Sequence, residues 1–360
     1  MGDDDRAETL MRGAVVRDTA SRGPAPLRTA PIVAPLALVL AAVVLLGGCG
    51  SAATSAGSGA DTSGGVAAMS AATKSPRATP TGSTVPGTTA SGGAGKGASS
   101  VAVTVVFVDV GQGDATVIRA GSWAGLIDGG SSGSEARIEA ALTRLGVRRL
   151  SAVVVTHMHT DHTGGLPPIV AEWRPRKAFV AGRPSSALTG ALRRAGTTVV
   201  QVRRGAALRF GGARAEVLSP AGLSGDANSD SLVLCLEAGG RSFLFTGDCT
   251  GPNEAVVGSI CARGPPIDVL KVAHHGSRYS TSAALLADAR PRVAVISVGP
   301  NPYGHPTPAT VKRLLAGGSR VYTTWRNGSL TFKVSEAGAM SISFGRSPLP
   351  VKKATAARGG

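Results

Sequence analysis

The stretch Thr156-His157-Met158-His159-Thr160-Asp161-His162 follows an apolar run at 150–155 (LSAVVV) and leads into Gly164-Gly165. A run that short and that apolar reads as a buried strand, with a helix expected to begin near the two glycines. On an extended segment His157 and His159 point the same way, because side chains alternate with a period of two. Asp161 and His162 then turn toward a second position as the chain curls into the helix. Neutral imidazole together with carboxylate suits zinc, manganese or iron. The chain has six histidines, and the others are His274, His275 and His305, so none is left for an ordinary surface or core place. A surface loop could be His-rich for no reason, but the strand–loop–helix context favours a metal site.

Around this segment the pattern is mixed. Residues 101–110 (VAVTVVFVDV) read as a strand ending in a Gly-rich turn, and 115–120 and 122–127 as two more. Residues 134–146 carry helical spacing at Ile138, Leu142 and Leu145, stopped by Gly146. A hairpin is expected over 231–237 and 242–245, then a helix over 253–262. Strand 268–272, helix 282–289, strand 293–298 and helix 308–315 follow. Strands in groups with helices between them argue for an α/β (α+β) body of sheets covered by helices.

Further motifs lie near the expected strand ends. They are 107–115 (FVDVGQGDA), 126–130 (LIDGG), 228–234 (NSDSLVL), 246–248 (TGD), 271–277 (KVAHHGS) and 303–306 (YGHP). The His157–His162 segment resembles the H-x-H-x-D-H signature of the metallo-β-lactamase superfamily. The order of the other motifs resembles the hydrolase domain of ComEC-type DNA-uptake (competence) proteins, across nearly all of residues 101–335. The resemblance implies a four-layer αββα sandwich with the site at one edge of the paired sheets.

It also implies roles. Two divalent transition-metal ions, zinc or manganese, would share a hydroxide and a carboxylate. His157 and His159 would hold the first metal, Asp161, His162 and His274 the second, and Asp248 would bridge, so that Asp161 and Asp248 carry the catalysis. Asp128 would anchor the metal loop from behind. Asp109, Gln112, Asp114, Ser277 and His305 lie in the shared motifs and would line the site. For Asp109 and Asp128, capping a turn at a strand end is an equally ordinary role. His275 is expected to make a structural hydrogen bond, since adjacent side chains diverge. Many relatives place another His between the cluster and the bridging Asp. Here none occurs between His162 and His274, a lack that the competence-type branch shares. The first metal is left with His157, His159, Asp248 and solvent, helped by Asn228 or Asp230, a set that tolerates manganese.

Two cations lower the pKa of bound water and clamp the oxygens of an in-line displacement. A phosphodiesterase or nuclease acting outside the cytoplasmic membrane, on DNA or another phosphate-linked polymer, is therefore expected. Alternatives are an acyl hydrolase of β-lactam or lactone type, a cell-wall phosphoester hydrolase, and a binding module whose metal is structural. Residues 101–360 hold 30 basic and 16 acidic residues, about +14 of the chain's +16, which favours an anionic substrate or merely maintains solubility. No feature specifies an oligomeric state.

The front of the chain differs in kind. All thirteen aromatic residues lie between Phe107 and Phe344, so the folded body is expected over 101–346, with 347–360 a basic tail. Residues 32–46 (IVAPLALVLAAVVLL) are too short for a comfortable membrane span and suit a signal-peptide core. Arg12, Arg17, Arg22 and Arg28 precede the run, and Leu46-Gly47-Gly48-Cys49 ends it. That end resembles the lipobox of bacterial lipoproteins, making Cys49 a lipidation site and the protein membrane-anchored; a plain cleaved leader or an uncleaved anchor are the alternatives. No second apolar run of spanning length occurs, so a pore is not expected. Residues 50–100, with 44 of 51 positions Gly, Ser, Ala, Thr or Pro, read as a tether reaching roughly 40 Å. Cys235, Cys249 and Cys261 would allow one disulfide and one buried thiol, and Cys249 reads as packing.

Overall fold

The computed structural model describes residues 101–346; the expected leader with Cys49, the tether and the basic tail lie outside the described residues. The chain first lays down β1 (Val101–Phe107), β2 (Thr116–Ala120), β3 (Trp123–Ile127), β4 (Ala152–Val155), β5 (Lys177–Val180) and β6 (Thr198–Gln201). A second sheet takes β7 (Ala207–Phe210), β8 (Ala213–Ser219), β9 (Val233–Ala238), β10 (Arg241–Phe245), β11 (Val269–Lys271), β12 (Val293–Ile296) and β13 (Arg320–Thr323). The chain then returns to the first sheet with β14 (Leu330–Ser335) and β15 (Met340–Phe344). The sheet orders are β15-β14-β1-β2-β3-β4-β5-β6 and β13-β12-β11-β10-β9-β8-β7.

Each sheet is antiparallel on one side and parallel on the other. Parallel neighbours need crossovers, and helices supply them. In the first sheet these are α1 (Glu135–Arg144), the single turn α2 (Thr160–Thr163) with α3 (Leu166–Trp173), and α4 (Ser186–Ala195). In the second they are α5 (Gly251–Cys261), α6 (Ala283–Ala289) and α7 (Pro308–Ala316).

Three apolar clusters separate four layers. Val103, Val105 and Phe107 join Phe210, Phe243 and Phe332 between the sheets. Val106 and Val117, on the other face of the first sheet, pack under Ile138, Leu142, Leu166 and Leu188 of its helices. Leu244, Leu270 and Ile296 pack under Val257, Leu285 and Leu314. β1 is thus buried on both faces, which explains its nearly unbroken apolar run. The αββα expectation holds.

Local expectations shift in ways that matter for the site. The strand expected over 101–110 stops at Phe107, where Val110 N–H turns back to the Val108 carbonyl at 3.0 Å. The helix expected at Gly164-Gly165 is preceded by the separate turn α2. No helix among the described residues is long and apolar enough to cross a membrane. Cys235, Cys249 and Cys261 are all free thiols; Cys249 is buried in the second sheet's outer cluster, and burial pushes its thiol up to about 12.

Candidate metal centre

Loops leaving β1, β3, β4, β10 and β11 meet at one edge of the two sheets. Asp128 ends β3 in a left-handed conformation, φ 57°. Its Oδ1 accepts from Thr156 N–H at 2.8 Å and its Oδ2 from Thr156 Oγ1 at 2.7 Å. The same Oδ2 lies 2.7 Å from His162 Nδ1. One carboxylate therefore ties two strand ends together and fixes the His162 ring so that Nε2 faces inward, the arrangement that orients metal-binding imidazoles. The β1–β2 loop buttresses the same segment, with Asp114 N–H donating to the Asp161 carbonyl at 3.1 Å. Gly113, at φ 128°, packs so closely that a Cβ there would stand 2.3 Å from that carbonyl oxygen.

Asp248 is the hub. His162 Nε2 lies 3.3 Å from its Oδ1; His275 Nε2, His157 Nε2 and His274 Nε2 lie 3.6, 3.8 and 3.8 Å from its Oδ2. His157 Nε2 is also 3.1 Å from His159 Nδ1, and His275 Nε2 is 3.0 Å from Asp161 Oδ2. The Asp248 backbone N–H donates to Ser231 Oγ at 3.1 Å, which holds the carboxylate in place.

The electrostatics are those of a buried cluster. Burial opposes charge on Asp248, yet His162, His275 and Lys271 hold its carboxyl well below the usual range. Burial likewise opposes the His162 imidazolium, but Asp248, Asp128 and Asp114 raise its pKa well above normal. His275 is raised to about 9 against burial by Asp248 and Asp114. His157 goes the other way, to about 2, through burial and then the repulsion of His162.

The donor set fits divalent metal ions. His274 Nδ1 is buried without a hydrogen-bond partner, and His162 Nε2, His275 Nε2, Asp248 Oδ1 and Asp114 Oδ1 are buried with no aligned hydrogen bond, only ion-pair contacts such as His275–Asp161 at 3.0 Å. A buried polar atom left unsatisfied costs about 1–3 kcal/mol. Four triads among the described residues, His157/His162/Asp248, Asp161/His162/His275, Asp114/Asp248/His275 and Asp114/Asp128/His162, each bring their ligand atoms within 4.8 Å of one another. Donors that share a cation tetrahedrally at roughly 2.0–2.2 Å stand roughly 3.3–3.6 Å apart, the spacing that His162 Nε2 and Asp248 Oδ1 already have at 3.3 Å.

The expected site residues separate into those brought together and those not. His157, His159, Asp161, His162, Asp248 and Asp128 converge as described. His274 and His275 exchange prominence. Both adopt left-handed backbone, φ 49° and 53°, so the chain turns sharply between them. His275 Nδ1 does bond the Ser297 carbonyl at 2.9 Å, and this bond aims its Nε2 at Asp161. His274 is half-buried, its ring 5.5 Å from His305. His305 itself is held by Asn301 and pushed down to about 4 by burial and then by His274.

Asp109 is not brought to the cluster: its carboxylate pairs with Arg346 at 2.9 Å, faces Arg137 at 3.8 Å and accepts from Gly111 N–H. The turn-capping role expected for it is the one the structure gives. Ser277 is buried, but its Oγ accepts from Tyr279 N–H rather than facing the metals' donors. Asp230 is occupied by Ser224 and Gly225. Gln112 and Asn228 keep buried side-chain polar atoms without partners. Asp114 sits behind the cluster, in an ion pair with Lys271 and 3.5 Å from His275.

Lys271 is the residue that sequence reasoning missed. It is 3% exposed, donates to the Gly247 carbonyl at 3.0 Å and stands 3.8 Å from Asp248 Oδ1. Burial would lower its pKa, but Asp114 and Asp248 raise it. Its signals in the sequence were a lysine within the otherwise apolar 269–273 (VLKVA) and its place at the head of the 271–277 motif.

Comparison with known proteins agrees with this geometry. The chain is 31% identical over 266 residues to ComE operon protein 3 of Bacillus subtilis (strain 168), covering 66% of this chain and 34% of that protein. It is 35% identical over 230 residues to Recombination protein 2 of Haemophilus influenzae, covering 62% and 28%. It is 33% identical over 240 residues to Competence protein ComA of Neisseria gonorrhoeae, covering 65% and 33%. The chain thus spans about a third of the length of these relatives. The family model described as "Metallo-beta-lactamase superfamily" matches residues 108–299, more than half of the sequence and the whole convergence of loops around Asp248, and the chain belongs to that superfamily.

Proposed function

We propose that the protein is a metal-dependent phosphodiesterase, of nuclease type, working outside the cytoplasmic membrane. The observation that carries the reading is the set of buried donors converging on Asp248. His157 and His159 would help hold one cation, Asp161, His162 and Asp248 the other, with His275 beside Asp161 and His274 beside Asp248 both in reach of it. Zinc or manganese held there supplies an acidified water and polarises the phosphoryl oxygens.

The chain's own groups do the rest. Asp128 keeps the His162 ring oriented through a 2.7 Å bond, and the Ser297 carbonyl does the same for His275 at 2.9 Å. Lys271 and Asp114 sit behind Asp248 and hold it from the protein side. Half-buried His274 and His305 form a wall next to the cluster, where a phosphate oxygen can accept a hydrogen bond from a ring N–H. The bond type is supported by the body's charge near +14 and by a carboxylate-rich ligand set. The extracytoplasmic setting is supported by the leader and by Cys49 at its end. Cys49→Ser should shift the protein from the membrane fraction to the medium or leave an uncleaved precursor; wild-type protein in the cytosol would remove this part of the reading.

The deciding experiment pairs metal analysis with a substrate panel. The purified protein should carry close to two transition-metal ions per chain when manganese or zinc is supplied. It should hydrolyse bis(p-nitrophenyl) phosphate or single-stranded DNA in a metal-dependent way and leave nitrocefin untouched. Turnover of nitrocefin alone would replace the reading with an acyl hydrolase. Turnover of small phosphoesters alone, insensitive to salt, would replace it with wall or metabolite chemistry.

A further inference from the structure

Four arginines scattered along the sequence meet at a place far from the metal centre. Arg119, Arg148, Arg149 and Arg176 surround an open cleft of about 620 Å³, with Trp123 in its wall. No Asp, Glu or Lys lines it. Among the described residues none of the four arginines enters an ion pair, unlike Arg137, Arg241, Arg292 and Arg346. Arg148, Arg149 and Arg176 are exposed. Two of the guanidiniums are pinned through Nε, Arg119 to the Gly121 carbonyl at 3.2 Å and Arg149 to the Arg174 carbonyl at 2.8 Å. Their terminal nitrogens are thereby aimed with little freedom left to lose on binding.

The cleft's position is set by topology. Trp123 begins β3, Ser151 directly precedes β4, and Arg176 directly precedes β5. Asp128 and the His157–His162 loop leave the opposite ends of β3 and β4. Strands of four to five residues at about 3.3 Å each put roughly 15 Å between the two edges.

Like charges gathered around one concavity repel each other and attract a polyanion. Arginine, rather than lysine, grips phosphate with two parallel N–H bonds and also stacks its plane on a base. The one aromatic ring in the wall is already spent: Trp123 stacks on Phe210 at 4.4 Å and 12°. Recognition would then run through phosphates and guanidinium planes, without choice of sequence.

We propose that this cleft is a second, non-catalytic binding site for single-stranded nucleic acid, held mainly through its phosphates. The site goes beyond the hydrolytic reading and does not depend on it, because binding here needs no turnover at Asp248.

The test uses the full-length, metal-loaded protein and a fluorescent 20-nucleotide oligothymidine with hydrolysis-resistant phosphorothioate links, followed by anisotropy between 50 and 300 mM salt. Arg148→Ala/Arg149→Ala should weaken binding at least ten-fold at low salt. Two lost phosphate contacts should also flatten the plot of log affinity against log salt by about 1.4, at about 0.7 per phosphate of a single strand. Arg119→Ala/Arg176→Ala should act in the same direction, and bis(p-nitrophenyl) phosphate turnover should be unchanged in both. Unchanged affinity and slope in both variants would overturn the proposal. So would equal competition by a glycerol-phosphate polymer or by phosphatidylglycerol vesicles, which would assign the cleft to a wall polymer or a lipid surface. Loss of oligonucleotide binding with hydrolysis intact, or loss in a protein that hydrolyses nothing, supports the site either way.

Discussion

Replacing Lys271 by Met removes a buried ammonium while keeping most of its volume. Asp114, the partner of its ion pair, is 4% exposed, and Asp248 Oδ1 is 3.8 Å away. At an effective dielectric constant of 20, two unit charges at that distance interact by about 4 kcal/mol. Stranding one member of a buried pair typically costs about 3–5 kcal/mol. His162 and His275, at 3.7 and 3.5 Å from Asp114, compensate in part, which puts the expected loss near 3 kcal/mol. Guanidinium unfolding of the metal-saturated protein, followed by tryptophan fluorescence, measures it. The loss should also grow with pH. Burial opposes the Asp114 charge, while Lys271 and then His162 and His275 hold its carboxyl below the ordinary value. Without the lysine its folded pKa rises, so the stability that the depressed carboxyl contributes above the ordinary carboxylate pKa shrinks, and the loss relative to wild type grows as pH climbs through the carboxylate range. Adding Asp114→Asn should restore all but about 1 kcal/mol, because no charge is left unpaired. A single variant that loses less than 1 kcal/mol, or a double variant no better than the single, would refute the reasoning.

Asp128→Ala should weaken zinc binding about 10- to 100-fold, measured by competition with a chromophoric chelator, because the His162 ring loses its 2.7 Å anchor; unaltered affinity would show that the ring is held elsewhere. Gly113→Ala should cost about 2 kcal/mol or more and most of kcat, since φ 128° is foreign to alanine and its Cβ must displace the Asp161 carbonyl. Chelator-treated protein should be most stable near pH 6.5 by thermal melting, losing stability steadily between about 6.5 and 9. The His275 contribution, about 3 kcal/mol for a pKa moved from 6.5 to about 9, is complete below 6.5 and lost as pH rises through 9. His157, depressed to about 2, takes up protons in the unfolded chain first, so stability falls as pH drops below 6.5; a melting temperature still rising at pH 9 would contradict the His275 sign, and one rising on acidification below 6.5 the His157 sign.

Much of the centre was legible because its ligands sit where strand periodicity is clean. The four-residue β4 delivers His157 and His159 with the alternation of an extended chain, and the apolar runs of β1, β10 and β12 announce themselves. The pair His274-His275 is less simple than alternation allows. His275 makes the structural bond expected of it, but two successive left-handed residues also bring its Nε2 next to Asp161 and Asp248. Lys271 was opaque because a lysine in an apolar strand says nothing of its partner until Asp114, far away in sequence, is folded against it. β5 to β8 were not foreseen: KAFV and ALRF are only four residues long, each with a charge, and β6 keeps its residues largely exposed at the sheet's edge. The arginine cleft could not be read at all, since its members converge only through sheet order.

The ligand loops come from both sheets, His157 to His162 from the first and Asp248 with His275 from the second. An unfolded or half-made chain therefore owns two incomplete sets of ligands and no site. Full coordination waits until the sheets have docked face to face, and the first sheet itself waits for β14 to reach β1. A metal bound there would then be chosen late, by whichever cations surround the chain where its folding finishes.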